Sequence, residues 1–490
     1  MIVPSSLTPV IGLEVHAQLL TESKIFCGCS TRFGDPPNTH VCPVCLGLPG
    51  ALPVLNARVV EQAARAALAL NCTVQVVSVF ARKQYFYPDL PKGYQITQYD
   101  RPLAVDGWIE AAAQGGARRV GIARLHLEED AGKSIHDGFE GAADRTRIDF
   151  NRSGVPLIEI VTRPDLRSAA EAADCFSRLR AVLVALGVTD GNMEEGSLRC
   201  DANVSVRPAG SDAAGVKVEV KNLNSFRYLQ RALAHEIERQ TQALAAGGRV
   251  AAETRLWDQA SGRTATLRGK EAAHDYRYVP EPDLPPLTID AAWIESLRAT
   301  LGELPDARRE RLAREYGLSA YDADVLTRRF RGAVDYFEAT VRAGASPKAA
   351  ANWILGEIGR ALNEQGTSDI AAVSGRVPPG RLAELVRLAE DGRVSVPAAK
   401  DVLLHMLATG RDATDIVERE GLARLDDEGA LSQAVRAVVA VNPKAVADYR
   451  AGKRKAFGFL VGQAMKATGG RADPGRLTRL LEAELGGSQP

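Results

Sequence analysis

Four cysteines offer the first recognisable chemistry. Cys27, Cys29, Cys42 and Cys45 fall within nineteen positions as C-x-C-x12-C-x2-C. Two tight pairs joined by a loop let four thiolates converge tetrahedrally on zinc, at about 2.3 Å each. With four protein ligands no coordination position is left for a substrate, so the expectation is a structural zinc that braces a loop. In the CPVCLG half, backbone N–H groups after the second cysteine can support the thiolates, as in a zinc knuckle. Redox-active or unliganded thiols are the alternative. His40, between the pairs, reads as a loop histidine, and Cys72, Cys175 and Cys200 sit in apolar company as core residues.

A second constellation is spread over five extended segments. In IGLEVHAQL, Glu14, His16 and Gln18 share the face opposite Ile11, Leu13, Val15 and Ala17. VGIARLHLEED sets Arg124, His126 and Glu128 against Ala123, Leu125 and Leu127, and PLIEIVT carries Glu159 on the face of Leu157 and Val161. LRCDANVSV presents Arg199, Asp201, Asn203 and Ser205; VKVEVKN presents Lys217, Glu219 and Lys221. Any one of these is explained by the solvated face of an antiparallel sheet. Together they are not, because Glu, His, Asp, Asn and Arg recur where Thr, Lys and Ser are usual. Carboxylates and a histidine that meet across strands make a site for a hard cation such as Mg²⁺. Arginines and lysines beside them suit phosphate, and the combination is what metal-assisted phosphoryl transfer needs.

The familiar nucleotide loops are missing. Gly132-Lys133-Ser134 resembles the end of a P-loop, but the first glycine would fall at Leu127. The stretch 262–270 is followed by Glu271 where Ser or Thr belongs, and no GxGxxG follows a strand. ATP, if used, would bind on the sheet.

These side chains need a scaffold of strands, and the first part of the chain supplies one. Up to about residue 290, short alternating segments are broken by Gly, Pro, Asn and Asp. One helix is expected from Ser168 to Leu186, with a capping box at Ser168 and Glu171, an apolar stripe of Cys175, Phe176, Leu179, Val182, Leu183 and Leu186, and a stop at Gly187. The Pro-rich stretch EPDLPPL (281–287) suits a boundary. Beyond it Ala, Leu, Arg and Glu dominate and the pattern is helical, with breaks near Gly410–Asp415 and Val441–Ala445. The reading is an α+β protein: a mostly antiparallel sheet domain (1–290), a helical domain (291–408) and a helical tail (409–490), with the closing GGSQP frayed.

Charge and hydropathy narrow the class. Lys+Arg and Asp+Glu both number 61, which excludes a uniformly basic nucleic-acid coat. The tail differs: from Val441 to Pro490 nine Lys and Arg stand against four Asp and Glu, net +5, densest from Arg450 through Lys453, Arg454 and Lys455. No run has the roughly 18 to 20 apolar residues of a membrane span. The opening MIVPSSLTPVIGLEV has no basic n-region or cleavage site. The expectation is a cytoplasmic protein without membrane contact.

Long blocks then carry a family resemblance. IGLEVHAQL, the CxC…CPVCLGLPG segment, YFYPDLPKGYQI, LHLEEDAGKS, DFNRSGVPLIEIVTRPD, NMEEGSLRCDANVSVRP, EVKNLNSF and AHDYRYVPEPDLPPL closely resemble the B subunits of bacterial aspartyl/glutamyl-tRNA amidotransferases. YRAGKRKAFGFLVGQAMKATGGRADP resembles the YqeY-like C-terminal domain of that family. The likeness runs from about residue 9 to residue 480.

The resemblance implies a reaction and a set of roles. ATP phosphorylates the side-chain carboxylate of Glu or Asp esterified to a tRNA specifying Gln or Asn, and ammonia displaces the phosphate. It implies a cradle domain similar to the glutamine synthetase fold. It assigns Glu14, His16, Glu128 and Glu159 to catalysis and to magnesium, with Asp201 as a further magnesium ligand. Arg124, Lys133, Arg199 and Lys221 are implied phosphate or nucleotide residues, and Tyr85, Tyr87 and Tyr94 read either as site lining or as a packed aromatic loop. Structural zinc on the complete quartet follows too. One departure is Val279, where most relatives carry Phe. No glutaminase segment is visible, so ammonia is expected from a separate amidase, the A subunit, with a small C subunit holding the pair. Misacylated tRNA is the partner expected at Arg450, Lys453, Arg454 and Lys455. Two other readings compete: a tRNA-binding scaffold with an inert face, and a free-standing ATP-dependent carboxylate–amine ligase, for which a basic helical tail has no use. Whether Asp-tRNA, Glu-tRNA or both are substrates is not written in the chain.

Overall fold

The computed structural model describes residues 7–211, 213–269, 276–425 and 427–486. The first six residues of the opening segment, the AHD of AHDYRYVPEPDLPPL and the last four residues of GGSQP lie outside them. The chain forms two compact units, Met1–Pro305 and Asp306–Pro490.

The first unit is built on nine strands. These are β1 (Leu7–Gln18), β2 (Thr73–Val74), β3 (Ala104–Ala113), β4 (Gly116–Glu129), β5 (Pro156–Thr162), β6 (Leu198–Pro208), β7 (Val218–Lys221), β8 (Glu253–Asp258) and β9 (Arg263–Gly269). Their order is β9-β8-β7-β6-β1-β5-β4-β3-β2. The sheet is mixed by one pairing: β7 and β8 run parallel, and every other neighbouring pair is antiparallel. Strand β1 sits centrally because both its edges are used, by β5 and by β6. Its alternation is the one the sequence carries. Ile11, Leu13, Val15 and Ala17 are buried in a core shared with α1 (Ala57–Ala69), α2 (Ala169–Ala185), α3 (Phe226–Ala245) and α4 (Ala291–Ala299).

Helix α2 starts where its cap predicts. Ser168 Oγ accepts from Glu171 N at 3.2 Å, a cap of about 1 kcal/mol. Glu171 Oε2 reaches back to Arg167 N at 2.9 Å, one residue before the expected partner. Cys175, Phe176, Leu179, Val182 and Leu183 are buried, and Gly187 at φ +67 takes the left-handed conformation just past the helix end.

A three-stranded sheet of Val279–Pro280, Phe80–Gln84 and Tyr94–Gln98 packs on the end of β4. Gln98, buried, fixes the junction: its Oε1 accepts from Leu127 N at 3.1 Å and Leu103 N at 3.0 Å. Arg82 grips Glu281 through Nε at 2.7 Å and Nη2 at 2.8 Å. Val279 is exposed and pairs with Arg82, so its small side chain leaves no core hole.

The first unit extends past the division expected at residue 290. Ile294 and Leu297 of α4 are buried in its core. The Pro-rich stretch is a strap within the unit: Leu284 is buried in that core, and Leu287–Thr288 pairs with Val77–Ser78. Pro and a missing N–H mark irregular backbone equally well in a strap and in a linker.

The second unit is helical, with two apolar clusters. One runs from Leu312 to Val417 around Phe337, Ile354 and Met406, with a π-helical turn at Ile354–Ile358. The other runs from Leu431 to Leu485 around Val435, Leu460 and Leu481. The helix Val396–Thr409 ends on Gly410 in the left-handed conformation, at the break read from the sequence. Among the described residues no helix is long and apolar enough to cross a membrane.

Candidate metal and catalytic site

The face of the sheet opposite the apolar core carries a row of ionisable side chains at matched register. His16 on β1 stands opposite Glu159 on β5 and Arg199 on β6, and Glu159 stands opposite His126 on β4. Four strands thus give one member each. Glu128, two residues beyond His126, adds a second carboxylate. His16 Nε2 lies 3.4 Å from Glu159 Oε2 and 3.7 Å from Glu128 Oε1. His126 Nε2 lies 3.3 Å from Glu159 Oε2 and 3.7 Å from Glu128 Oε2. Donor atoms of His16, Glu128 and Glu159 all fall within 4.8 Å of one another, the spacing of a possible metal site.

Charge decides what this cluster can do. Two buried carboxylates this close repel unless cations stand between them. Burial alone would lower the pKa of His126, but Glu159 and Glu128 outweigh it and raise it to about 9. His16 is raised against its own burial by the same two carboxylates. Burial would raise Glu159, yet His126 and His16 hold it well below the usual carboxylate range. Without a metal, protons on the imidazoles balance the carboxylates. A divalent cation can replace those protons, and the oxygen and nitrogen donors fit one. His126 Nδ1 is buried without a hydrogen-bond partner among the described residues, so the ring is held through Nε2.

The other expected residues divide. Glu14, one same-face step along β1, lines the same cavity of about 570 Å³, and its Oε1 accepts from Asn203 Nδ2 at 2.8 Å. Asp201 is engaged by Lys221 Nζ at 2.5 Å, and Lys221 also reaches Glu219 Oε1 at 3.1 Å. This pair lines the cavity but stands apart from the three converging ligands. Arg124 lines the cavity and is exposed. Arg199 turns to Asp130, Nη2 to Oδ1 at 3.0 Å, and that carboxylate raises its pKa. Lys133 is not brought to this cavity. It lies on the short strand Lys133–Ile135, paired with Arg147–Asp149, and lines another hollow with Arg32 and Asp190. The chain leaves the sheet after Glu129, so the alternation that places Glu128 ends before it.

Of the two readings for Tyr85, Tyr87 and Tyr94, packing and not lining of this cavity is what the structure gives. Tyr94 lies under Arg82, 4.3 Å from ring centroid to guanidinium carbon, beside a different hollow. Tyr85 packs edge-on against Tyr87 and Tyr276. The cavity is lined by Tyr99, Tyr276 and Tyr278 instead, with Tyr99 and Tyr278 stacked at 4.0 Å and 6°.

The cysteine quartet converges. One sulfur from each of Cys27, Cys29, Cys42 and Cys45 lies within 4.8 Å of the others, and all four are free thiols. Cys42 N donates to Cys45 Sγ at 3.2 Å, so the support comes from the first cysteine of CPVCLG; the N–H groups expected to give it, after Cys45, turn to backbone carbonyls instead, Leu46 N to Cys42 O and Gly47 N to Val44 O, each at 3.0 Å. A hydrogen bond with Cys27 holds Cys45 down to about 4 and pushes Cys27 above the thiol range, while burial pushes Cys29 up to about 11. Thiols that share protons in this way are ready to exchange them for a metal such as zinc. Beneath them Lys24 is fully buried, its Nζ donating to His40 O at 2.6 Å, Phe150 O at 3.3 Å and Cys45 Sγ at 3.7 Å. His40 itself faces Asp35, Nε2 to Oδ2 at 2.9 Å, outside the quartet. Cys72, Cys175 and Cys200 are buried in the apolar core.

Residues 9–295 match the family of the GatB/GatE catalytic domain, and residues 335–485 match the GatB domain. The chain is 54% identical over 478 residues to the B subunit of the aspartyl/glutamyl-tRNA(Asn/Gln) amidotransferase of Solidesulfovibrio magneticus, covering 97% of this chain and 99% of that protein. It is 56% identical over 477 residues to the B subunit of the Moorella thermoacetica amidotransferase, with the same coverage. The chain belongs to this amidotransferase B-subunit family. Its second match begins at residue 335, inside the first helical cluster, well before residue 409.

His126 and the three tyrosines of this candidate site, Tyr99, Tyr276 and Tyr278, carry no role in the sequence reading. His126 is visible in the alternation between Arg124 and Glu128, and only the register with Glu159 gives it one. Tyr99 lies just beyond the aromatic block that ends at Ile96, and nothing in its immediate sequence marks it. The tail cluster is exposed at Arg450, Lys453, Arg454 and Lys455, with Lys453 Nζ 2.9 Å from Asp448 Oδ1.

Proposed function

We propose that this chain carries out the ATP-dependent amidation of Glu-tRNA(Gln), Asp-tRNA(Asn) or both, as the B subunit of a cytoplasmic amidotransferase. The observation that supports this most is the meeting of His16, Glu128 and Glu159, with His126, on the floor of a cavity that Arg124 and Lys221 also line. The family membership supplies the substrate class; the cluster supplies the chemistry. A carboxylate is a poor electrophile because its leaving group would be oxide. Transfer of the γ-phosphoryl group gives an acyl phosphate and ADP; ammonia then forms the C–N bond and phosphate departs.

In this reading His16, Glu128 and Glu159 hold magnesium, with Glu14 beside them. When bound, that ion neutralises phosphate oxygens. Glu159 and Glu128 keep the imidazoles oriented into the cavity, and Arg124, exposed on its wall, meets phosphate charge. Lys221 is shared with Asp201 and Glu219, so it acts as part of a fixed ion pair. Arg199 acts through Asp130. The scaffold would be a cradle like that of glutamine synthetase, which activates a carboxylate in the same way. Zinc on the quartet braces the loop through residues 27–45. Ammonia would come from the amidase, or A, subunit, with the small C subunit holding the assembly together. The helical tail would bind tRNA through Arg450, Lys453, Arg454 and Lys455.

The test is reconstitution with the A and C subunits, misacylated tRNA, ATP, Mg²⁺ and glutamine. Both amides should be assayed. Wild type is expected to form amide and Glu128→Gln to bind tRNA without forming it. Undiminished amide formation by Glu128→Gln would overturn the assignment, and tRNA binding with no amide from wild type would favour the inert scaffold.

A further inference from the structure

The cavity holds one feature that cation binding and carboxylate activation leave unused. Tyr99 and Tyr278 are stacked at 4.0 Å and 6°, and Tyr99 is 53% exposed, so one ring face is covered and the other is turned outward. The stack is buttressed from behind. Tyr276 meets Tyr278 edge-on at 6.1 Å, and Lys83 Nζ stands 4.8 Å from the Tyr276 centroid.

The platform is also held in place along the chain. Gln98, next to it, is buried and bonded to Leu127 N, Leu103 N and Ser78 Oγ. Thr97, two residues away, donates to Glu128 Oε2 at 3.4 Å. Tyr99, in the bend just past the strand end at Gln98, is therefore two residues from one that touches the cation cluster. A large exposed ring normally turns inward or packs at an interface. Here it is stacked on one side, half-exposed, and on the wall of the same cavity as Arg124, Lys217 and Lys221. A flat π-face beside positive charges is the arrangement that takes a base and its phosphates together.

We propose that the outward face of Tyr99, backed by Tyr278, is a stacking platform for an adenine base of the substrates at this cavity. The proposal rests on the amidation reading above and deepens it. Two substrates end in adenosine, ATP and the 3′ terminus of tRNA, and stacking alone does not distinguish them.

The experiment uses the full chain assembled with its partner subunits. Tyr99→Leu keeps an apolar side chain against Tyr278 and removes the π-face; Tyr99→Phe keeps the π-face. Equilibrium binding is measured for MgATP, and for deacylated tRNA with and without its 3′-terminal adenosine. Tyr99→Leu is expected to weaken one probe by about tenfold, with Tyr99→Phe within about twofold of wild type. A loss confined to MgATP assigns the platform to ATP. A loss confined to intact tRNA, with the shortened tRNA bound equally by wild type and variant, assigns it to the tRNA end. Unchanged binding of both probes by a folded Tyr99→Leu overturns the proposal, and so does an equal loss toward intact and shortened tRNA. Glu128→Gln assayed alongside separates the levels: amide formation that survives it defeats the amidation site itself, whereas its loss with Tyr99→Leu binding unchanged defeats only the platform.

Discussion

His16 and Glu159 face each other across β1 and β5, Nε2 to Oε2 at 3.4 Å, and each is also within reach of a second partner of opposite charge. The cluster is therefore a balanced set, and a change in one member is felt by the rest. Glu159→Gln removes the carboxylate shared by two imidazoles. Amide formation in the reconstituted complex is expected to fall by about 100-fold or more, with tRNA affinity within about twofold of wild type. Retained turnover would remove Glu159 from the reaction centre.

The raised histidines make cation binding depend on pH. His126 is held protonated up to about 9 by Glu159 and Glu128, and His16 is raised for the same reason. A cation must displace those protons. Affinity for Mg²⁺, or for Mn²⁺ as a spectroscopic probe, is expected to climb from pH 6.5 to 9, by about tenfold per unit for each proton released. The sign for stability is opposite. The raised values stabilise the metal-free fold below the unfolded pKa of about 6.5, and that contribution fades as pH rises through 9. Titration calorimetry at three pH values, with proton release measured in two buffers, checks the affinity, and melting of the metal-free chain over the same range checks the stability; flat affinity would show that no imidazole proton is displaced.

Zinc should be present at one ion per chain by metal analysis, and Cys45→Ser should lose it. Lys24 tests the electrostatics. Four thiolates around one Zn²⁺ leave two negative charges, and the buried ammonium beside Cys45 offsets one. Lys24→Met is expected to release zinc to a chelator faster than wild type and to melt several degrees lower. Equal release rates would reduce Lys24 to a packing role.

The tail gives a salt-dependent readout. Alanine at Arg450, Arg454 and Lys455 is expected to flatten the plot of log K for tRNA against log salt, by about 0.7 to 0.9 for each phosphate no longer neutralised. Lys453, already paired with Asp448, should contribute least. An unaltered slope would place tRNA elsewhere.

The boundary can be tested by truncation. Ile294 and Leu297 each bury an apolar side chain worth about 1.5 to 3 kcal/mol in the first core. A fragment ending at residue 305 is expected to melt higher than one ending at 290. Equal melting would leave α4 with the helical region.

Much of the site is legible in the sequence, for physical reasons. Period-two patterning reports a strand's two faces directly, so Glu14, His16 and Glu128 can be set on polar faces before any register is known, whereas Glu159, in a strand apolar on both sides, joins them only through the family resemblance. The cysteine spacing is a local constraint and needs nothing further. Register is not local. Nothing near Asp201 shows that Lys221 will take its carboxylate, and nothing near Lys133 shows that the sheet has ended. His126 illustrates a different limit: the alternation sets it on the polar face with Arg124 and Glu128, but only the opposite strand shows that it meets Glu159. The strap at 281–287 shows that prolines mark irregular backbone without saying whether it crosses a gap or wraps a surface.

The row Arg199–His16–Glu159–His126 has a consequence for how such a chain tolerates insertions and deletions. Its members come from segments far apart in sequence and share a side of the sheet only by parity. One added residue in β5 ahead of Glu159 would turn that carboxylate toward the helices; two would return it to the right side but about 7 Å out of line. Length changes inside these strands are therefore excluded by odd-or-even arithmetic as well as by packing, and drift in chain length is confined to the connections between them.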